Sequence, residues 1–231
     1  MQTLGIIGGI GPESTIAYYR LILAAYQQRV KDGHNPRIII NSISVKKLLD
    51  LAASDLPGLT EYLLDEIGRL ADGGADFGLL AANTAHVVFD AVQALSPIPL
   101  ISIVEATCEA VRARGLARVG LFGTRFTTEG SFYSEVFTRE GLELILPDAA
   151  ERALIHDIYM NELLKNIFLP ETRARLLTIV DRLIDEAGMQ ALILGGTELP
   201  LILTEESYRG IPFLDTTRIH AEKAAAQLAS G

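Results

Sequence analysis

The chain alternates short apolar runs with longer stretches in which apolar residues recur at helical spacing. In the first half, residues 4–8, 37–43, 76–82 and 100–103 read as strands. Their Leu, Ile, Ala and Gly content, with few polar interruptions, is the pattern of strands covered on both faces. Residues 14–30, 45–53, 58–71, 86–95 and 105–114 read as helices; Pro57-Gly58 breaks the second from the third, and Gly115 ends the last. The second half repeats the plan. Strands are expected at 118–123, 140–146, the apolar run from Leu192, and 212–214, with helices at 150–166, 170–187 and 217–228. Pro170-Glu171 opens the helix at 170–187 in the manner of a first-turn proline. Alternation of this kind predicts βαβ units and parallel sheets.

Three segments recur in the same order at nearly one spacing. Thr3-Leu4-Gly5-Ile6-Ile7-Gly8 returns as Arg118-Val119-Gly120-Leu121-Phe122-Gly123, 115 positions later. Leu79-Leu80-Ala81-Ala82-Asn83-Thr84-Ala85-His86 returns as Leu192-Ile193-Leu194-Gly195-Gly196-Thr197-Glu198-Leu199-Pro200, with Thr84 and Thr197 113 positions apart. Ile98-Pro99-Leu100-Ile101-Ser102 returns as Ile211-Pro212-Phe213-Leu214-Asp215, again at 113. The echoes imply an internal duplication. The expected fold is α/β, with two pseudo-symmetric domains, each a parallel sheet flanked by helices, facing each other across an active-site cleft. The first domain is expected at 1–103 plus 213–231, because the last helix can fill that half's open flank; the second is expected at 104–212. In open parallel sheets ligands lie beyond the carboxyl ends of the strands. The two strand ends at Asn83-Thr84 and Thr197-Glu198 are therefore the places to look for chemistry.

Composition narrows the function classes. The 231 residues are 49% hydrophobic, enough for a large core, and with no Trp that core is mostly aliphatic. A net charge of −9 argues against nucleic acid as a partner, since phosphate binding needs a basic footprint. No apolar run approaches the roughly 18 residues of a membrane span, and no basic region precedes the first strand, so a cytoplasmic location without a membrane partner is expected. Cys108 is the single cysteine, which excludes an intramolecular disulfide and any multi-cysteine metal site. His34, His156 and His220 have no partners at metal-ligand spacing, so no metal is expected.

Four motifs, taken together, carry a family resemblance: Gly8-Gly9-Ile10-Gly11-Pro12-Glu13-Ser14-Thr15, Ala82-Asn83-Thr84-Ala85-His86, Gly123-Thr124-Arg125-Phe126-Thr127, and Leu194-Gly195-Gly196-Thr197-Glu198-Leu199-Pro200. In this order and strand context they resemble the aspartate/glutamate racemase superfamily, over essentially the whole chain. The resemblance implies cofactor-independent chemistry at an α-carbon, no bound cofactor, and a homodimer. It also implies one thiol per domain, at the residue before Asn-Thr and the residue before Thr-Glu. Those positions here are Ala82 and Gly196, which carry no transferable proton. Cys108 cannot replace either thiol, because it falls in the helix after the fourth strand.

Candidate acid–base groups must therefore come from elsewhere. Glu198 reads as an acid stabilised in a helix's first turn, as a general base, or as a receptor for a substrate ammonium group. His86 titrates near neutrality and reads either as a backbone partner or as an acid–base group. Thr84 and Thr197, at the two strand ends, complete the catalytic candidates. Asn83 reads as a cap or as part of a carboxylate site at a helix N-terminus. Thr124 and Thr127, in the loop after the fifth strand, read as a turn rich in hydroxyls or, by resemblance, as hydrogen-bond partners of the substrate carboxylate, which the resemblance has Gly8, Gly9 and Ile10 face from the other half. Lys46, Lys47 and Lys165 are the nearest cations to the places where acidic-substrate racemases hold basic residues. None aligns cleanly, so the side chain of the substrate stays open. The expected function is an amino-acid racemase-family isomerase acting on a small amino or carboxylic acid. The alternatives are a lyase or decarboxylase on the same scaffold, and a non-catalytic binder of small carboxylates.

Overall fold

The computed structural model describes residues 2–230. In the first half the order is β1 (Thr3–Gly8), α1 (Pro12–Arg29), β2 (Arg37–Ser42), α2 (Val45–Ser54), α3 (Leu56–Asp72), β3 (Phe77–Leu80), a 3-10 turn (Thr84–Val88), α4 (Phe89–Leu95), β4 (Leu100–Ile101) and α5 (Ile103–Ala113). It continues with β5 (Arg118–Gly123), α6 (Arg125–Glu129), α7 (Ser131–Arg139), β6 (Glu143–Ile145), α8 (Ala149–Asn161), a 3-10 turn (Leu163–Lys165) and α9 (Pro170–Ala187). The last elements are β7 (Ala191–Gly195), α10 (Leu199–Ile202), β8 (Ser207–Tyr208), β9 (Ile211–Asp215) and α11 (Thr216–Ser230).

The strands form two sheets, β2-β1-β3-β4 and β6-β5-β7-β9-β8. The fold is α/β, with two sheets of mainly parallel strands flanked by helices. The first four strands of each half take the same order, so each sheet reverses direction of growth between its first and third strands. The departure from strict parallel order is β8, which pairs antiparallel with β9 through Ser207↔Pro212 and Tyr208↔Ile211. Two residues before Gly210, which sits at φ +78°, are too few to show a period in sequence.

The chain divides into two compact units, Met1–Ala106 with Thr217–Gly231, and Thr107–Thr216. A boundary at 212/213 would cut β9, whose Phe213, Leu214 and Asp215 pair with Leu192, Ile193 and Leu194 of β7. The division falls after that strand, because its ladder belongs wholly to the second sheet. In the first unit, Ala221, Ala224 and Ala225 of α11 pack with Tyr18 and Ile22 of α1 and with Leu4 of β1. The core of the second unit gathers Ile155, Ile158 and Tyr159 of α8 with Leu176 and Val180 of α9 and Leu192 of β7.

Several helix starts have identifiable causes. The break between α2 and α3 is Asp55 rather than Pro57-Gly58: its side chain accepts from the Gly58 N–H at 2.9 Å, and Pro57 sits in the first turn. Asp148 and Glu151 form a reciprocal capping box at the start of α8. The helix expected over 86–95 is two pieces, a 3-10 turn through His86 and then α4. The helix expected to reach 166 ends at Asn161, and a 3-10 turn follows, closed by Asn166 in the left-handed region.

Candidate functional site

Each unit brings two of the singled-out segments together at one end of its sheet. In the first unit β1 and β3 are neighbours, so the loop after Gly8 lies beside the segment Ala82-Asn83-Thr84. The Ala81 N–H donates to the Ile7 carbonyl at 2.9 Å, and Ser14 Oγ donates to the Ala81 carbonyl at 3.2 Å. The glycines of the loop have a packing cause. Gly9 sits at φ +79°, and a Cβ there would lie 2.4 Å from the Ile43 carbonyl oxygen. Its N–H donates to Thr15 Oγ1 at 2.8 Å. Asn83 and Thr84 are buried at the start of the 3-10 turn; Asn83 makes no side-chain cap, and its carbonyl accepts from the His86 N–H at 2.9 Å. Ala82, where the resemblance expects a thiol, is buried beside them.

His86 does not present a free ring nitrogen. Its Nδ1 lies 2.9 Å from the Ala82 carbonyl oxygen, which only accepts, so Nδ1 carries the proton. The Ile103 N–H donates to Nε2 at 3.1 Å. The ring stacks on Phe89 at 4.7 Å and is 1% exposed. Burial, and then the nearby His220, push its pKa down to about 3. The expectation of an acid–base His86 is therefore corrected: it is a neutral tie between the 3-10 turn and the start of α5. His220 is a second such tie. It accepts from the Tyr18 hydroxyl at Nδ1 and donates from Nε2 to the Ile101 carbonyl, with burial lowering its pKa to about 4.

In the second unit β5 and β7 are neighbours, with Gly123 paired to Gly195. Thr124 and Thr127 do not share a loop: Thr124 precedes α6 and Thr127 lies within it, because the Thr124 carbonyl accepts the N–H groups of Thr127 and Thr128 at 3.0 Å each. Their hydroxyl oxygens are 3.4 Å apart, and both residues are buried. A Cβ at Gly123 would lie 2.8 Å from the Gly195 carbonyl oxygen and 2.9 Å from Thr127 Cβ, so this strand end is closely packed.

Glu198 stands just past β7 and is 3% exposed. Its Oε2 accepts from the Thr197 hydroxyl at 2.8 Å and from the Tyr159 hydroxyl. Burial raises the Glu198 pKa against the opposing effect of these hydrogen bonds, and burial beside the Glu198 charge pushes Tyr159 well above the usual phenol value. Tyr159, from α8, also fills the space beside Gly196: a Cβ built there would lie 2.4 Å from Tyr159 Cε2. In sequence Tyr159 follows Ile155 and Ile158 on one helical face and reads as core, so no local pattern marks it as part of this site.

Other candidates fall elsewhere. Cys108 is buried in α5. Lys46 is exposed and paired with Asp50 at 2.5 Å, Lys47 lies over the Tyr62 ring at 3.9 Å, and Lys165 is exposed in the second 3-10 turn. Among the described residues no three His, Cys, Asp or Glu side chains gather as a metal site, and no helix is long and apolar enough to cross a membrane.

Two α/β units of one strand order thus each hold a singled-out segment just past the third strand of their sheet. The family model described as Asp/Glu/hydantoin racemase matches residues 7–224. The chain belongs to that family. It is 26% identical over 229 residues to the broad specificity amino-acid racemase RacX of Bacillus subtilis (strain 168), covering 96% of each chain. It also matches a crystal structure from Yersinia pestis provisionally assigned as an Asp/Glu racemase, with TM-score 0.89 and 32% identity over 99% of both chains. An aspartate racemase homologue from Pyrococcus horikoshii OT3 matches over the full length of both chains with TM-score 0.82 and 30% identity.

Proposed function

We propose that this chain is a cofactor-independent enzyme of the amino-acid racemase type, moving a proton at the α-carbon of a small amino or carboxylic acid. The observation that carries the proposal is Glu198. A carboxyl group that is 3% exposed, held by Tyr159 and Thr197 at a strand end, with its pKa raised by burial, is poised nearer neutrality than a surface acid. The family model's match over residues 7–224 and the RacX relative support amino acids as the substrate class. Thr124, Thr127 and Thr197, in the unit that holds Glu198, are the proposed contacts to the substrate's polar groups; Asn83 and Thr84, with Gly8, Gly9 and Ile10, are the corresponding strand-end residues of the first unit.

The test is entry of solvent deuterium at the α-position across a panel of L- and D-amino acids. Glu198→Gln is expected to slow that exchange by about 100-fold or more, the usual share of a general acid–base group. Wild-type protein that exchanges none of the panel refutes the proposal.

One observation favours a second reading on the same scaffold. In the first unit Ala82 has no transferable proton and both nitrogens of His86 are engaged by backbone, whereas the second unit holds Glu198 and Tyr159. Chemistry that needs a single proton-transfer group, such as a decarboxylase or lyase, fits a site built on Glu198 and Tyr159 alone. Product analysis separates the two readings: mirror-image product for a racemase, and released carbon dioxide or ammonia for the rival.

A further inference from the structure

We infer that Tyr159 is the group of the second unit that exchanges a proton with the substrate's α-carbon, with Glu198 as the relay behind it. This rests on the function proposed above. The starting observation is steric. A Cβ built on Gly196 would lie 2.4 Å from Tyr159 Cε2 and 3.0 Å from both Cζ and the hydroxyl oxygen. The phenol thus stands where a side chain at 196 would stand, and its O–H lies close to the point from which such a side chain would project. A glycine at 196 and a tyrosine reaching in from α8 together put a proton-bearing oxygen at this strand end.

The phenol is also wired. It donates to Glu198 Oε2, and that same oxygen accepts from Thr197 Oγ1 at 2.8 Å. Tyr159 and Glu198 are both buried, so a free tyrosinate beside a free carboxylate is disfavoured. Consistent with this, burial moves both groups toward their neutral forms. A relay avoids the double charge. When the α-C–H bond breaks, its electron pair stays on the carbon and spreads into the substrate carboxyl group. The released proton joins the Tyr159 oxygen as the phenol's own proton passes to Glu198 Oε2. The phenol ends neutral, Glu198 ends as the carboxylic acid, and one negative charge has moved from Glu198 to the substrate. The reverse sequence protonates the carbon and restores the carboxylate.

The alternative is direct transfer by Glu198, with Tyr159 as packing. Tyr159→Phe keeps the ring and removes only the oxygen, so it separates the two. The experiment measures α-deuterium exchange in wild type, Tyr159→Phe and Glu198→Gln, using each enantiomer of the amino acid that the wild type exchanges fastest. A melting curve with and without that amino acid is recorded for each variant, since a ligand that binds the native state raises its melting point. Both variants are expected to lose exchange by about 100-fold or more while keeping the ligand-induced shift. Replacing Tyr159 with 3-fluorotyrosine, whose phenol is more acidic, is expected to move a limb of the pH–rate profile to lower pH, which a packing role does not do. Tyr159→Phe exchanging within threefold of wild type, or a fluorotyrosine profile that does not move, overturns the relay and leaves the proposed function standing. A wild type that exchanges nothing removes the proposed function and the relay with it.

Discussion

Gly196→Ala tests the geometry of the second strand end directly. The change adds one methyl group 2.4 Å from Tyr159 Cε2 and 3.0 Å from Cζ, well inside van der Waals contact. The ring has little room to yield. Tyr159 belongs to the main core of its unit with Ile155, Ile158 and Leu199, and its hydroxyl is held by the buried Glu198. Overpacking of this kind costs about 1–3 kcal/mol. For a chain of this length that lowers Tm by roughly 2–12 °C. Tyr159→Ala alone opens a cavity and costs about 3–5 kcal/mol, as aromatic truncations do. The two changes are not additive, because removing the ring removes the clash. The double variant should be more stable than the sum of the singles predicts by about 1–3 kcal/mol. Thermal and urea unfolding followed by circular dichroism measure all four proteins. A Gly196→Ala protein within about 0.5 kcal/mol of wild type, together with additive singles, would refute the close approach of Tyr159 to residue 196.

Two further outcomes follow from the structure. His86 and His220 are buried and neutral, with pKa values near 3 and 4 against 6.5 in the unfolded chain, so below pH 6.5 the unfolded state binds protons that the folded state does not. Their contribution is complete above pH 6.5 and is lost as pH falls toward 4 and 3, at up to about 1.4 kcal/mol per pH unit for each histidine; urea midpoints from pH 7 to 4.5 should fall accordingly, with a shallower fall in His220→Asn, and equal slopes would count against the reading. Asp148→Ala removes the capping box of α8, which carries Tyr159, and should cost about 1 kcal/mol in unfolding experiments; no loss would mean that the cap does not stabilise the helix.

Most of the order of strands and helices was legible in the sequence because it depends on local periodicity, but the short elements α6, α7 and β8 were not anticipated. Apolar runs such as Leu79–Leu80 and Ile193–Leu194 are buried on both faces, and the recurrence of Gly8 and Thr84 as Gly123 and Thr197 pointed to two halves of one plan. That the loop after Gly8 lies beside Ala82-Asn83-Thr84, and Gly123 beside Gly195, came from the pairing of the first and third strands of each sheet and not from the sequence. What was not legible is what non-local packing decides. Residues 84–88 tighten into a 3-10 turn because His86 bonds back to Ala82 and forward to Ile103, and neither partner is visible in a helical pattern. Those same bonds turn a residue that reads as titratable into a neutral tie. Thr127 entered a helix because the Thr124 carbonyl collects two N–H groups. Tyr159 is the clearest case. On its own helix it is one more buried apolar position, and only the tertiary fold sets its ring against Gly196 and its hydroxyl on Glu198, 39 positions along the chain. A sequence records that residue 196 has no side chain; which neighbour fills the space left by it is determined by packing, since close-packed interiors leave few voids.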